Sequence, residues 1–125
     1  MRTVSKDTKK VLVVDDHPAF RASARRLLES EGYAVVGEAG DGASALQAVS
    51  ELGPDLVLLD VQLPDIDGFE VAEQIKAATN GNVPGVVLIS SRDRTDFGPL
   101  LDGAAILGFI SKGELTGDAL SELLT

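Results

Sequence analysis

Three carboxylates, two hydroxyls and one lysine stand at the ends of four apolar runs in this chain. Asp15 and Asp16 follow Val11-Leu-Val-Val14, Asp60 follows Leu56-Val-Leu-Leu59, Ser90 and Ser91 follow Val86-Val-Leu-Ile89, and Lys112 follows Phe109-Ile110 after one serine. If the runs are parallel strands of one sheet, all of these groups meet in one pocket, because open α/β sheets bind ligands beyond the carboxyl ends of their strands. Carboxylates gathered there repel. At about 4 Å and an effective dielectric near 20, each like-charged pair costs about 4 kcal/mol, so the cluster calls for a cation or a proton. A hard divalent ion answers that need, and a site of few carboxylates with room for water and phosphate oxygens suits Mg²⁺ better than Ca²⁺. With no cysteine and His17 as the single histidine, zinc is a poor match.

Each residue alone has a plainer explanation. Strand-end acids cap helices, serines at loop entries bond to backbone, and single lysines are usually solvated. His17 by itself reads as structural or solvated. The joint placement at four corresponding ends is what points to a site. The stretch Gly37 to Gly42 forms no phosphate loop, since neither glycine-rich nucleotide motif is present.

The elements that must position these groups follow from the alternation of apolar runs with helical periods. Val11–Val14 is a β-branched run suited to a strand buried on both faces. Pro18 opens a helix whose Phe20, Ala24, Leu27 and Leu28 repeat until Gly32. A strand at 34–37, a helix at 43–52 ended by Gly53-Pro54, a strand at 56–59, a helix at 69–78, strands at 86–89 and 109–110 and a closing helix at 119–124 complete the order. The expected fold is α/β, with right-handed crossovers and a parallel five-stranded sheet covered on both faces. The interval 92–101 should hold the fourth helix, but Gly98-Pro99 interrupts it, so a short, broken or mobile helix is expected there.

The chain has 125 residues and a net charge of -9. That length fits one domain able to bury roughly two thirds of its unfolded surface without disulfides or a structural metal. Residues 1–9 lack an apolar period and read as a disordered lead-in, leaving 10–125 as the domain. Arg2, Lys6, Lys9 and Lys10 against Asp7 make the first ten residues +3, so the remainder carries -12. Such acidity, with no basic recognition helix, argues against direct nucleic-acid binding. No apolar run approaches membrane-spanning length and no secretory signal is present; the lack of cysteine fits a reducing cytoplasm.

Val-Leu-Val-Val-Asp15-Asp16-His-Pro, Asp-Leu-Val-Leu-Leu-Asp60-Val-Gln-Leu-Pro64-Asp-Ile-Asp-Gly68, Leu-Ile-Ser90-Ser-Arg and Gly-Phe109-Ile-Ser-Lys112, in that order across residues 10 to 125, resemble the receiver domain of bacterial two-component response regulators. The resemblance implies a flavodoxin-like (βα)5 sandwich with sheet order 2-1-3-4-5. It also implies that Asp60 accepts a phosphoryl group from a sensor histidine kinase, as an acyl phosphate. Asp16, Asp60 and the backbone carbonyl of Gln62 would hold Mg²⁺, with Asp15 acting through water. Ser90 and Lys112 would each meet a phosphoryl oxygen. Phe109 occupies the position of an aromatic that rotates inward on activation, although ordinary core packing would explain it equally well. The domain would be a phosphorelay switch whose only catalysis is its own phosphorylation and dephosphorylation.

Two positions depart from the family pattern. Gly113 stands where proline after the lysine is common, and Ser91 where a small alanine is more usual. The broken fourth helix implies unusual output contacts. The opening segments look most like receivers of LuxR-type helix-turn-helix regulators, yet 125 residues hold no recognition helix; the expectation is a stand-alone receiver acting on a protein target. The alternatives are the receiver portion of a DNA-binding regulator and an unphosphorylated pseudo-receiver. A flavodoxin would put a hydroxyl- and amide-rich phosphate loop where Asp15-Asp16 stands, and a haloacid-dehalogenase-type phosphatase would need Asp-x-Asp there.

Overall fold

The computed structural model describes residues 9–78 and 83–124. Apart from Lys9, the expected lead-in lies outside them. Five strands form one sheet: β1 (Lys10–Val14), β2 (Ala34–Ala39), β3 (Leu56–Asp60), β4 (Gly85–Ser90) and β5 (Gly108–Ser111). All neighbouring pairs are parallel and the order is β2-β1-β3-β4-β5, as the resemblance implied. Five helices connect and close the strands: α1 (Pro18–Ser30), α2 (Gly42–Leu52), α3 (Gly68–Ala78), α4 (Pro99–Asp102) and α5 (Gly117–Leu124).

The continuous apolar runs of β1, β3 and β4 are central strands, buried on both faces. One face carries Leu12, Val14, Val57, Leu59, Leu88 and Phe109 against α2, α3 and α4 residues such as Ala45, Val71, Ile75 and Leu101. The other carries Val11, Val13, Leu56, Leu58, Ile89 and Ile110 against Ala24 and Leu28 of α1 and Leu120 of α5. The alternation along each strand thus fixes both layers at once. Register sets Val14 beside Leu59, Asp60 beside Ile89, and Ser90 beside Ser111. The chemical residues at these strand ends therefore share the carboxyl end of the sheet.

Strand β2 extends beyond the expected stop at Gly37. Gly37 pairs with Leu12, and the ladder continues to Ala39, whose carbonyl accepts from Asp15 N–H at 3.0 Å. This glycine makes room for packing, since a Cβ there would lie 2.6 Å from Leu52 Cδ1. By contrast Gly53, with φ +57, is a genuine left-handed helix stop for α2. Between β4 and β5 the structure has only a 3-10 turn over Arg94–Asp96 and the four residues of α4. Gly98, with φ +46, turns the chain, and Pro99 starts α4 where a missing N–H is harmless. The expected break is there.

Candidate functional site: an acidic pocket at the carboxyl ends of the strands

Three of the strand-end side chains close the same small turn. Asp15 Oδ1 accepts from His17 N–H at 2.8 Å, Asp60 Oδ1 from Gln62 N–H at 3.1 Å, and Ser90 Oγ from Arg92 N–H at 3.0 Å. Each is a side chain bonded to backbone two residues on, which bends the chain off its strand. The plainer structural role and the candidate chemical role thus coexist. One oxygen of each aspartate holds the turn, which leaves the second oxygen, and the Ser90 hydroxyl proton, for the pocket.

Those second oxygens converge on Lys112. Its Nζ lies 2.6 Å from Asp15 Oδ2 and 3.5 Å from Asp60 Oδ2. Lys112 follows β5 directly, and its ammonium also stands 4.6 Å from the centre of the Phe20 ring, on the first turn of α1. Asp15, Asp60 and Ser90 are buried, whereas Asp16 is 37% exposed. Burial pushes the Asp60 carboxyl above the usual carboxylate range, and Asp15 pushes the same way; the Gln62 N–H and Lys112 act in the opposite direction.

Asp15, Asp16, His17 and Asp60 can each direct one ligand atom to a common point, with those atoms within 4.8 Å of one another. His17 Nδ1 is 3.0 Å from Asp16 Oδ1 and 3.1 Å from Asp15 Oδ1, although the ring is 69% exposed. Asp15 Oδ2 is buried and, despite the nearby ammonium, accepts no hydrogen bond of good geometry. An oxygen-rich donor set with such an oxygen fits a hard divalent cation.

The loop after β3 is fixed from two sides. Asp65 accepts from Gly42 N–H at 2.7 Å and Ala43 N–H at 2.9 Å, the first amides of α2, and these bonds hold its carboxyl below the usual range. Gly68 N–H donates to Val61 O at 2.7 Å, and a Cβ on Gly68 would lie 2.6 Å from the Asp60 carbonyl oxygen. Only glycine permits that approach without backbone movement. Gln62 itself is exposed, and its observed contribution is the N–H to Asp60.

A family model described as the response regulator receiver domain matches residues 11–124. The chain belongs to that family. A relative in Pseudomonas aeruginosa, provisionally named a transcriptional regulator, is 43% identical over 115 residues, covering 92% of this chain and 53% of its own length. The DNA-binding transcriptional activator EvgA of Escherichia coli K12 is 31% identical over 103 residues, covering 82% of this chain and 50% of EvgA. The chain thus spans about half the length of these curated relatives. Among solved structures, the signal receiver domain of a provisionally assigned response regulator NarL from Mycobacterium tuberculosis is 34% identical, with a TM-score of 0.80 over 94% of this chain and 97% of that one.

In this receiver Phe109 is buried and meets Phe97 in a tilted ring contact with centroids 5.5 Å apart, and Phe97 meets Phe69 of α3 at 5.8 Å. The described residues contain no cis peptide, so the Lys112-Gly113 bond is trans. Ser91 is exposed beside the pocket. Sequence reasoning missed four contributors: Phe20 under Lys112, Arg21 donating to the Asp15 backbone carbonyl, Asp65 and Gly68. Gly68 and Asp65 sat within a quoted motif, but nothing local showed that their contacts reach the Asp60 carbonyl and α2. No helix among the described residues is long and apolar enough to cross a membrane.

Proposed function

We propose that this receiver is a phosphorylation switch in which Asp60 accepts a phosphoryl group from the phosphohistidine of a sensor histidine kinase. The observation that carries this reading is the convergence of Asp15, Asp60 and Lys112 at one buried point. Asp16, Asp60 and the Gln62 carbonyl are the proposed Mg²⁺ ligands, with Asp15 contributing through water. Bound Mg²⁺ would offset the repulsion between the Asp60 carboxylate and an incoming phosphoryl group.

The chain's own groups supply the rest. A carboxylate oxygen of Asp60 attacks phosphorus as the P–N bond to the kinase histidine breaks, and that histidine keeps the electron pair and takes up a proton. Lys112 balances charge on one phosphoryl oxygen, and the Ser90 hydroxyl donates to another. Such transfer depends on positioning and charge stabilisation more than on acid-base work. Water later cleaves the acyl phosphate. The new group brings about -1.5 to -2 of charge next to Ser90 and Lys112, drawing both toward it, and we assign Phe109 as the aromatic that responds. The output is a changed protein-binding surface in one cytoplasmic domain over 10–125.

Mass measurement after incubation with acetyl phosphate and Mg²⁺ tests the reading. Wild type should gain one phosphoryl group and Asp60→Ala none. An unmodified wild type would favour the pseudo-receiver, and modification of Asp60→Ala would move the site. A second reading, the receiver portion of a DNA-binding regulator, is favoured by the alignment with about half of each curated relative. Continuation of the native reading frame into a helix-turn-helix would establish it.

A further inference from the structure

Arg21 touches none of the proposed phosphoryl or metal contacts, yet it is tied to the strand end that carries two of the acids. Its guanidinium donates from Nη1 to the backbone carbonyl of Asp15. The same guanidinium is gripped by Glu38 on β2, Nε to Oε1 at 3.1 Å, and the other oxygen of Glu38 takes Arg25 Nε at 2.9 Å. Arg21 and Arg25 are four residues apart on α1 and so share a face, which aims both at β2. Arg21 is only 19% exposed.

The carbonyl it holds belongs to the peptide joining Asp15 to Asp16. Asp15 N–H is already committed to Ala39 O, so both polar backbone groups of Asp15 are fixed, one by the sheet and one by Arg21. Asp16, 37% exposed, has no burial comparable with Asp15 to set its direction. Beside its contact with the exposed His17 ring at 3.0 Å, the orientation of that peptide plane is what aims it. A planar guanidinium can hold a carboxylate and a carbonyl together in fixed geometry; an ammonium on a flexible stem cannot do so equally.

Resting on the phosphorylation reading above, we infer that Arg21 is a positioning residue for the metal, the Arg25–Glu38–Arg21 chain setting the peptide between Asp15 and Asp16 so that both carboxylates are preorganised for Mg²⁺. Loss of this support should weaken the metal in the way that outer hydrogen-bond partners of ligands usually do, by about 10-fold or more.

The test is calorimetric titration of MgCl2 into the whole chain, with acetyl phosphate rates measured across Mg²⁺ concentration. Arg21→Ala should raise the Mg²⁺ dissociation constant about 10-fold. Its phosphorylation rate should approach that of wild type at saturating Mg²⁺, a split that general loss of structure would not produce. Arg21→Lys should rescue part of the loss, Glu38→Gln should show a smaller defect, and exposed Arg26→Ala should match wild type. If Arg21→Ala fails to fold, the lysine and glutamine variants decide. Folded variants at positions 21 and 38 that bind Mg²⁺ within twofold of a binding-competent wild type overturn this inference alone, whereas a wild type that neither binds Mg²⁺ nor gains phosphoryl mass overturns the underlying reading as well.

Discussion

Lys112 Nζ stands closer to Asp15, at 2.6 Å, than to the proposed phosphoacceptor Asp60, at 3.5 Å. The ammonium is thus the counter-charge of a fully buried carboxylate. Removing it leaves the buried Oδ2 of Asp15 without its cation, which is costly because one partner of a buried pair has been lost. Lys112→Ala should destabilise the metal-free protein by about 2 kcal/mol in urea unfolding. Saturating Mg²⁺ should restore more stability to this variant than it adds to wild type. The variant should still gain some phosphoryl mass while losing the conformational response, read from Phe109 ring signals.

Asp60 and Asp65 should respond to acid in opposite directions. Burial raises the Asp60 carboxyl in the folded state, so the fold favours its protonated form. Its ionisation therefore opposes folding at neutral pH, and that penalty is relieved as pH falls through the folded value. Asp60→Asn should be more stable than wild type at pH 7 without Mg²⁺, with the difference shrinking in acid. Asp65 is depressed by the Gly42 and Ala43 amides, so its contribution is present above the unfolded value and is lost as pH falls through the folded one. Asp65→Ala should melt below wild type at pH 7 and converge with it at the acid extreme.

Gly68→Ala separates packing from propensity. Alanine is the better helix former, yet its Cβ would fall 2.6 Å from the Asp60 carbonyl oxygen and 2.9 Å from Val61 Cα. Backbone on both sides must shift. A loss of about 1 to 3 kcal/mol is expected in denaturant unfolding. The acetyl phosphate rate should fall at least about tenfold, as a displacement near 1 Å at reacting groups can cost more than that. A more stable and fully active variant would contradict the close approach.

Phe97 bridges Phe69 and Phe109, joining α3 to β5 through the broken α4 region. Phe97→Ala should cost about 3 kcal/mol, at the lower end for a buried phenylalanine. It should also free Phe109, whose ring should flip faster and give sharper averaged resonances even without phosphorylation. Unchanged Phe109 signals would show that the ring contact does not restrain it.

The sheet was legible because β1, β3 and β4 are unbroken apolar runs, and a run buried on both faces carries its own signature. The strand ends were legible for the same reason: Asp15, Asp60 and Ser90 are the first polar residues after those runs. Edges were less clear. Gly37 looked like a stop because a glycine that relieves a clash with Leu52 is indistinguishable in sequence from one that turns the chain. Phe20 and Arg21 escaped for a different reason. Phe20 fits the helical apolar period, and the partners of Arg21 are Glu38, seventeen residues away, and a backbone carbonyl that has no sequence identity at all. The fourth helix was anticipated correctly because the Gly98-Pro99 conflict is local.

That short α4 also bears on how the domain unfolds in part. Between Ser90 and Gly108 the regular backbone structure is one 3-10 turn and four helical residues, flanked by strands whose amides are locked into the centre and edge of the sheet. Local opening should therefore begin here, and hydrogen exchange should find these amides turning over well ahead of those in β3 and β4. A segment that opens more readily than the sheet can be repopulated by a modest bias. The receiver would then answer its chemical signal by redistributing a pre-existing ensemble, with Phe97 as the anchor whose residence sets the balance.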